Sequence, residues 1–87
     1  MNDNDLRLIY GVRPIKIKKR LDGYGVYLCD SIYSGDVAFV LVFDDKKSLV
    51  FSRTFVLSKL DFYTSARKTF RSCCDKMLKR DDNWDII

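Results

Sequence analysis

The residues whose type and spacing point most clearly to a chemistry are Lys16, Lys18 and Arg20. On an extended strand, alternate side chains share one face. These three cations would stand about 6.6–6.8 Å apart along it. A nucleic-acid strand spaces its phosphates on a similar scale. Arg13 and Lys19 complete a block, residues 13–20, that carries five bases and no acid. A hairpin would bring Tyr27 opposite Lys18 and offer a ring for a base to stack on. Arg13, Lys16, Lys18, Arg20 and Tyr27 are therefore the expected nucleic-acid contacts. The same lysines have a plainer use, since cations on an exposed strand block edge-to-edge aggregation.

Other chemistries are poorly supplied. The chain has no His, no Glu and no Gln, and all twelve of its acids are Asp. The Ser-His and Cys-His dyads, the usual general base and His-ligated metal sites are excluded. The three cysteines, Cys29, Cys73 and Cys74, show no Cys-x-x-Cys spacing and cannot complete a four-ligand zinc site. No catalytic residue, metal ligand or cofactor is expected, and the chain reads as non-enzymatic. Asp45-Lys46-Lys47 contains the Asp-x-Lys spacing of some metal-dependent nucleases, with Asp30 or Asp36 as the second acid. Turns use Asp and Lys for ordinary reasons, so this is the weakest reading. Cys73 and Cys74 read as small buried hydrophobes, and Cys29, on the polar hairpin face, as the more reactive thiol. Their odd number suits reduced thiols and a cytoplasmic location.

These residues need elements to position them. Eighty-seven residues suit one domain spanning 1–87, with a frayed N-terminus at 1–5. The longest apolar run, Val37 to Phe43, is far short of the ~20 residues that span a membrane, and residues 1–12 lack an apolar leader. Leu6 to Val12 reads as a short strand. Ile15 to Asp30 reads as a hairpin turning at Asp22-Gly23, a two-residue loop that favours a type I′ turn. Leu21 then faces Tyr24, Arg20 faces Gly25, Lys18 faces Tyr27 and Lys16 faces Cys29. Ile15, Ile17, Leu21, Tyr24, Val26 and Leu28 form its apolar face. Lys19 falls on that side, a conflict that a bulge at Gly25 would resolve.

Val37 to Phe43 has the continuous apolar character of a strand covered on both faces. Ser48 to Leu57 alternates, with Arg53 on the inward register. Ser58 is a candidate N-cap, with Asp61 three residues on, for a helix over 59–80. Phe62, Tyr63, Ala66, Phe70, Cys73, Cys74 and Met77 make its apolar stripe, and Lys68, Arg71, Lys76 and Lys79 its solvated face. The expected fold is α+β: an antiparallel sheet of four to five strands followed by one C-terminal helix packed on one face.

The tail, residues 81–87, is acidic and apolar. Trp84, Ile86 and Ile87 either finish the core or dock a partner, and packing is the preferred reading. The phenylalanine, tyrosine, methionine, isoleucine, asparagine and lysine content points to an AT-rich genome. Size and composition match small phage accessory proteins of the antitoxin or anti-defence type. The function expected is masking of an RNA or nucleoprotein complex by the basic hairpin face. The alternative is a protein–protein inhibitor or adaptor of a host or toxin protein, using the acidic block and the Trp84 tail. No membrane partner is expected.

Overall fold

Stretches of β-branched and aromatic residues, separated by short polar turns, form β1 (Val12–Lys19), β2 (Gly25–Ser31), β3 (Val37–Phe43) and β4 (Leu49–Val56). In the computed structural model, which describes residues 3–56 and 63–84, they make a four-stranded antiparallel sheet in chain order. A short helix, α1 (Asp3–Asp5), runs into a π-helical turn (Leu6–Tyr10) before β1, and the helix α2 (Thr64–Leu78) follows the sheet. α2 packs on β2 and β3, so the α+β order read from the sequence is the observed one. No helix among the described residues is long and apolar enough to cross a membrane.

The central strands bury both faces. Tyr24, just before β2, Val26 and Leu28 of β2 and Ala38, Val40 and Val42 of β3 meet Ala66, Cys73 and Met77 of α2. On the other side, Tyr27, Cys29, Leu41 and Phe43 meet Leu6 and Val12. A strand covered on both sides needs apolar residues at every position, which accounts for the unbroken run from Val37 to Phe43.

The second core corrects the expected strand at Leu6–Val12. A helical turn sets Leu6 and Tyr10, four residues apart, on one side, where they close over the sheet face. Gly11 ends that turn at φ 66. Its N–H donates to the Arg7 carbonyl at 3.1 Å. A Cβ there would stand 2.6 Å from Tyr33 Cε2, so both the backbone and the neighbouring ring require glycine.

The first hairpin forms where expected but with a different loop. Arg20 N–H donates to the Tyr24 carbonyl at 2.7 Å, and Gly23 N–H donates to the Arg20 carbonyl at 3.0 Å. Leu21, Asp22 and Gly23 therefore make a three-residue loop, with Gly23 at φ 97. Leu21, expected in the core, is exposed at its tip. The pairs are Lys19↔Gly25, Lys18↔Val26, Ile17↔Tyr27 and Lys16↔Leu28, one residue away from the two-residue register. The bulge lies at Ile15, between Pro14 and Lys16, rather than at Gly25. Pro14, which has no N–H, sits in this edge strand as its chemistry requires.

Ser58 and Asp61, the expected cap, and Phe62 of the expected stripe lie outside the described residues. Phe70, expected to be buried, is half-buried against the helix-side core. Phe51 and Phe55 of β4 pack on that core, and Arg53 shares their face, opposite Val40, with its guanidinium 5.5 Å from the Phe51 ring.

Tyr27 is the largest fully buried side chain of the second core. Tyr27→Ala is expected to cost about 3–5 kcal/mol in a urea melt. A loss below about 1 kcal/mol would contradict that core.

Candidate nucleic-acid interface

Directly opposed residues in a sheet share a face. Arg20, Lys18 and Lys16 therefore project on the side of Tyr24, Val26 and Leu28, which is the side that carries α2. Tyr27 projects the other way. It is 1% exposed and packs edge-on to Phe43 at 5.5 Å, so its ring is not available to stack a base. The one-residue change of register separates it from the cations. The space over Gly25 is filled by the Tyr27 ring and the Lys19 stem. The Lys19 ammonium lies 5.9 Å from the Tyr27 ring centre.

The cations differ in how far they are already engaged. Arg13 stands opposite Asp30 and holds it with a fork, Nη2 to Oδ2 at 2.8 Å and Nε to Oδ1 at 3.2 Å. Arg20 is more committed. Its Nη2 and Nε donate to Asp22 at 2.7 and 3.1 Å, and its Nη1 donates to the Met77 carbonyl at 2.8 Å. The same guanidinium lies 4.4 Å from the Tyr24 ring centre. Arg20 thus satisfies a carbonyl in the last turn of α2, where the helix dipole favours a cation. Lys16 and Lys18 are exposed and make no ion pair with a described residue.

The sequence left open whether the basic strand and the helix share a face. They do: Lys16 and Lys18 project on the face where α2 packs against β2 and β3. Of the helix cations expected on a solvated face, Lys68, Arg71 and Lys79 are exposed. Lys76 pairs with Asp81 at 2.7 Å and lies 5.7 Å from the Trp84 ring centre.

Trp84, the candidate docking residue, is 7% exposed. It stacks on Tyr24 at 6.1 Å, and its indole N–H donates to the Tyr24 hydroxyl at 2.6 Å. Its exposed edge borders an open depression of about 470 Å³ lined also by Arg20, Tyr24, Asp44, Asp45 and Asp82. Three carboxylates thus line this depression beside Arg20. Ile86 and Ile87 lie outside the described residues.

Cys29 is fully buried, which overturns the expectation of a reactive thiol on a polar face. Burial pushes the Cys73 thiol up to about 12 and also raises Cys74, which is half-buried. The nuclease-like spacing does not converge either. Asp45 follows the end of β3 that pairs with Gly25, whereas Asp30 pairs at the other end and Asp36 precedes β3 there. Asp30 and Gly25 are five residues apart along β2, about 17 Å. Among the described residues no three His, Cys, Asp or Glu side chains are grouped to hold a metal.

Against known proteins, no family model matches the chain, and no curated protein or solved structure matches it significantly. The interface is therefore argued from its own geometry.

The Arg20 clasp gives a pH dependence. The hydrogen bond from Arg20, then that from the Tyr24 backbone N–H, holds the Asp22 carboxyl down at about 2, from an ordinary 3.8. A carboxyl lowered by folding stabilises the native state above its unfolded value and loses that contribution as pH falls through its folded value. Asp22→Asn should therefore lower the urea midpoint at about pH 5 and make little difference near pH 2. Equal losses at both pH values would contradict the clasp.

Proposed function

We propose that the protein is a small non-enzymatic binding protein that masks an RNA or a nucleoprotein surface by laying the helix-side face of β1 along a phosphate backbone. The observation that carries this reading is the state of Lys16 and Lys18. Both are exposed, both project on the same face, and both lack an acidic partner among the described residues. On either side of them, Arg13 and Arg20 are already neutralised by Asp30 and Asp22. An unpaired ammonium beside a neutral neighbourhood is a phosphate contact at little cost in broken interactions.

The mechanism is occlusion, as in an antitoxin or anti-defence protein: the bound face keeps another macromolecule from the same backbone. The three free thiols support action in the cytoplasm. The competing reading, a protein adaptor anchored by Trp84, loses its anchor because that indole is packed and hydrogen-bonded in the core.

The test is the salt dependence of binding to RNA oligonucleotides. Each lost phosphate contact reduces the log K against log salt slope by about 0.7–0.9 units. Lys16→Ala with Lys18→Ala should flatten it by about 1.4–1.8 units and leave the thermal melt unchanged. Salt-insensitive binding that survives both substitutions would overturn the reading.

A further inference from the structure

The depression beside Arg20 is built by three separate parts of the chain. The first hairpin gives Arg20 and Tyr24, the turn between β3 and β4 gives Asp44 and Asp45 with Val50 just inside β4, and the tail after α2 gives Asp82, Asn83 and Trp84. Its volume, about 470 Å³, is in the range of a small-ligand site. The walls are tied together. The Trp84 ring lies 6.1 Å from both Tyr24 and Phe51, which joins the tail to the hairpin and to β4. Asp44 N–H donates to the Ser48 carbonyl at 2.9 Å, and its Oδ1 accepts the N–H of Lys46 and of Ser48, each at 2.9 Å.

The charges facing this space are unbalanced. Arg20 is the one base among the lining residues, and Asp22 and the Met77 carbonyl already hold its guanidinium. Asp45 and Asp82 are exposed and make no ion pair with a described residue. Asp44 uses Oδ1 within its turn, and no described residue donates to its Oδ2. Lys46 and Lys47 follow in the same turn without lining the space, and Lys76 is paired with Asp81. The three carboxylates share one depression, yet no three acids among the described residues are grouped closely enough to hold a metal ion. A point charge cannot meet them all. A guanidinium can, because it fans five N–H donors from a planar fork. Its apolar stem has Val50 and Trp84 to lie against.

Tyr24 points independently to a ligand with an acceptor. It is 6% exposed, and its hydroxyl accepts the Trp84 indole N–H at 2.6 Å. No described residue accepts the hydroxyl's own proton. A peptide carbonyl next to an arginine side chain would. We propose that this depression takes an arginine side chain of a protein partner, with its guanidinium among Asp44, Asp45 and Asp82, its stem along Val50 and Trp84, and a neighbouring peptide carbonyl on the Tyr24 hydroxyl. Trp84 here lines a receiving site and does not insert into the partner. The inference stands apart from the phosphate reading. A nucleoprotein carries both chemistries, phosphate for Lys16 and Lys18 and arginine for the depression.

Trp84 is the chain's one tryptophan, so its indole N–H gives a single signal in a proton–nitrogen correlation spectrum. The native protein is titrated with capped Gly-Arg-Gly, with the same peptide carrying citrulline, with its lysine counterpart and with agmatine. The arginine peptide should shift the Trp84 and Asn83 signals saturably at millimolar concentration or below. The citrulline peptide, of the same shape but uncharged, should not. The lysine peptide, which lacks the fork, and agmatine, which lacks the carbonyl, should each bind about threefold or more weakly. Asp45→Asn with Asp82→Asn should weaken the arginine peptide about tenfold or more and leave the thermal melt unchanged. Lys16→Ala with Lys18→Ala should leave peptide binding as it is, which separates failure here from failure of the phosphate reading. No saturable shift with the arginine peptide, an equal shift with citrulline, or an affinity that survives the paired Asn substitutions or falls with the paired lysine ones overturns the site. Equal binding of agmatine overturns the peptide source, and equal binding of the lysine peptide overturns the guanidinium.

Discussion

One residue of register in the first hairpin decides what each face of this protein can do. The three-residue loop Leu21-Asp22-Gly23 pairs Ile17 with Tyr27 and Lys18 with Val26. Shift the pairing by one, and Tyr27 joins the lysines on an outer surface. Side chains alternate with a period of two, so a single step exchanges every inward residue for an outward one. The observed register sends Tyr27 and Cys29 into the core with Leu6, and Lys16, Lys18 and Arg20 to the side of α2.

The loop is held by the residues it positions. Asp22 accepts hydrogen bonds from the Tyr24 N–H and from Arg20. Arg20 in turn meets the last turn of α2, and Tyr24 meets Trp84. The hairpin turn, the helix C-terminus and the tail thus share one cluster of charge-assisted and aromatic contacts. The N-terminal turn solves a separate problem. A four-stranded sheet with one helix leaves a face open, and Leu6 and Val12 cover the part of it made by Tyr27, Leu41 and Phe43.

Much of the fold was legible because periodicity is a strong signal. The run from Val37 to Phe43 announced a doubly covered strand. The stripe through Ala66, Cys73 and Met77 announced a helix packed on one side. The hairpin was located correctly by Asp22-Gly23. Its register was not, because a glycine with positive φ serves a two-residue loop and the end of a three-residue loop equally well. The bulge lies at Ile15 rather than Gly25 for a related reason: the Lys19 conflict exists only in a register the chain does not use. The N-terminal turn was missed because Leu6, Leu8 and Tyr10 alternate like a strand, while Leu8 and Ile9 are in fact exposed. Of the expected contacts, Lys16 and Lys18 keep their availability, Arg13 and Arg20 are paired, and Tyr27 is structural.

The functional account follows from that register, which puts Lys16 and Lys18 together on the helix-side face and Tyr27 in the core. Cross-strand contacts between α-protons, read by nuclear Overhauser spectroscopy on the native protein, test it most directly. Opposed residues of an antiparallel pair approach to about 4.5 Å between α-carbons at non-hydrogen-bonded positions. The account predicts such contacts within the set Ile17–Tyr27, Lys18–Val26 and Lys16–Leu28. Contacts between Lys18 and Tyr27 and between Lys16 and Cys29 would contradict it.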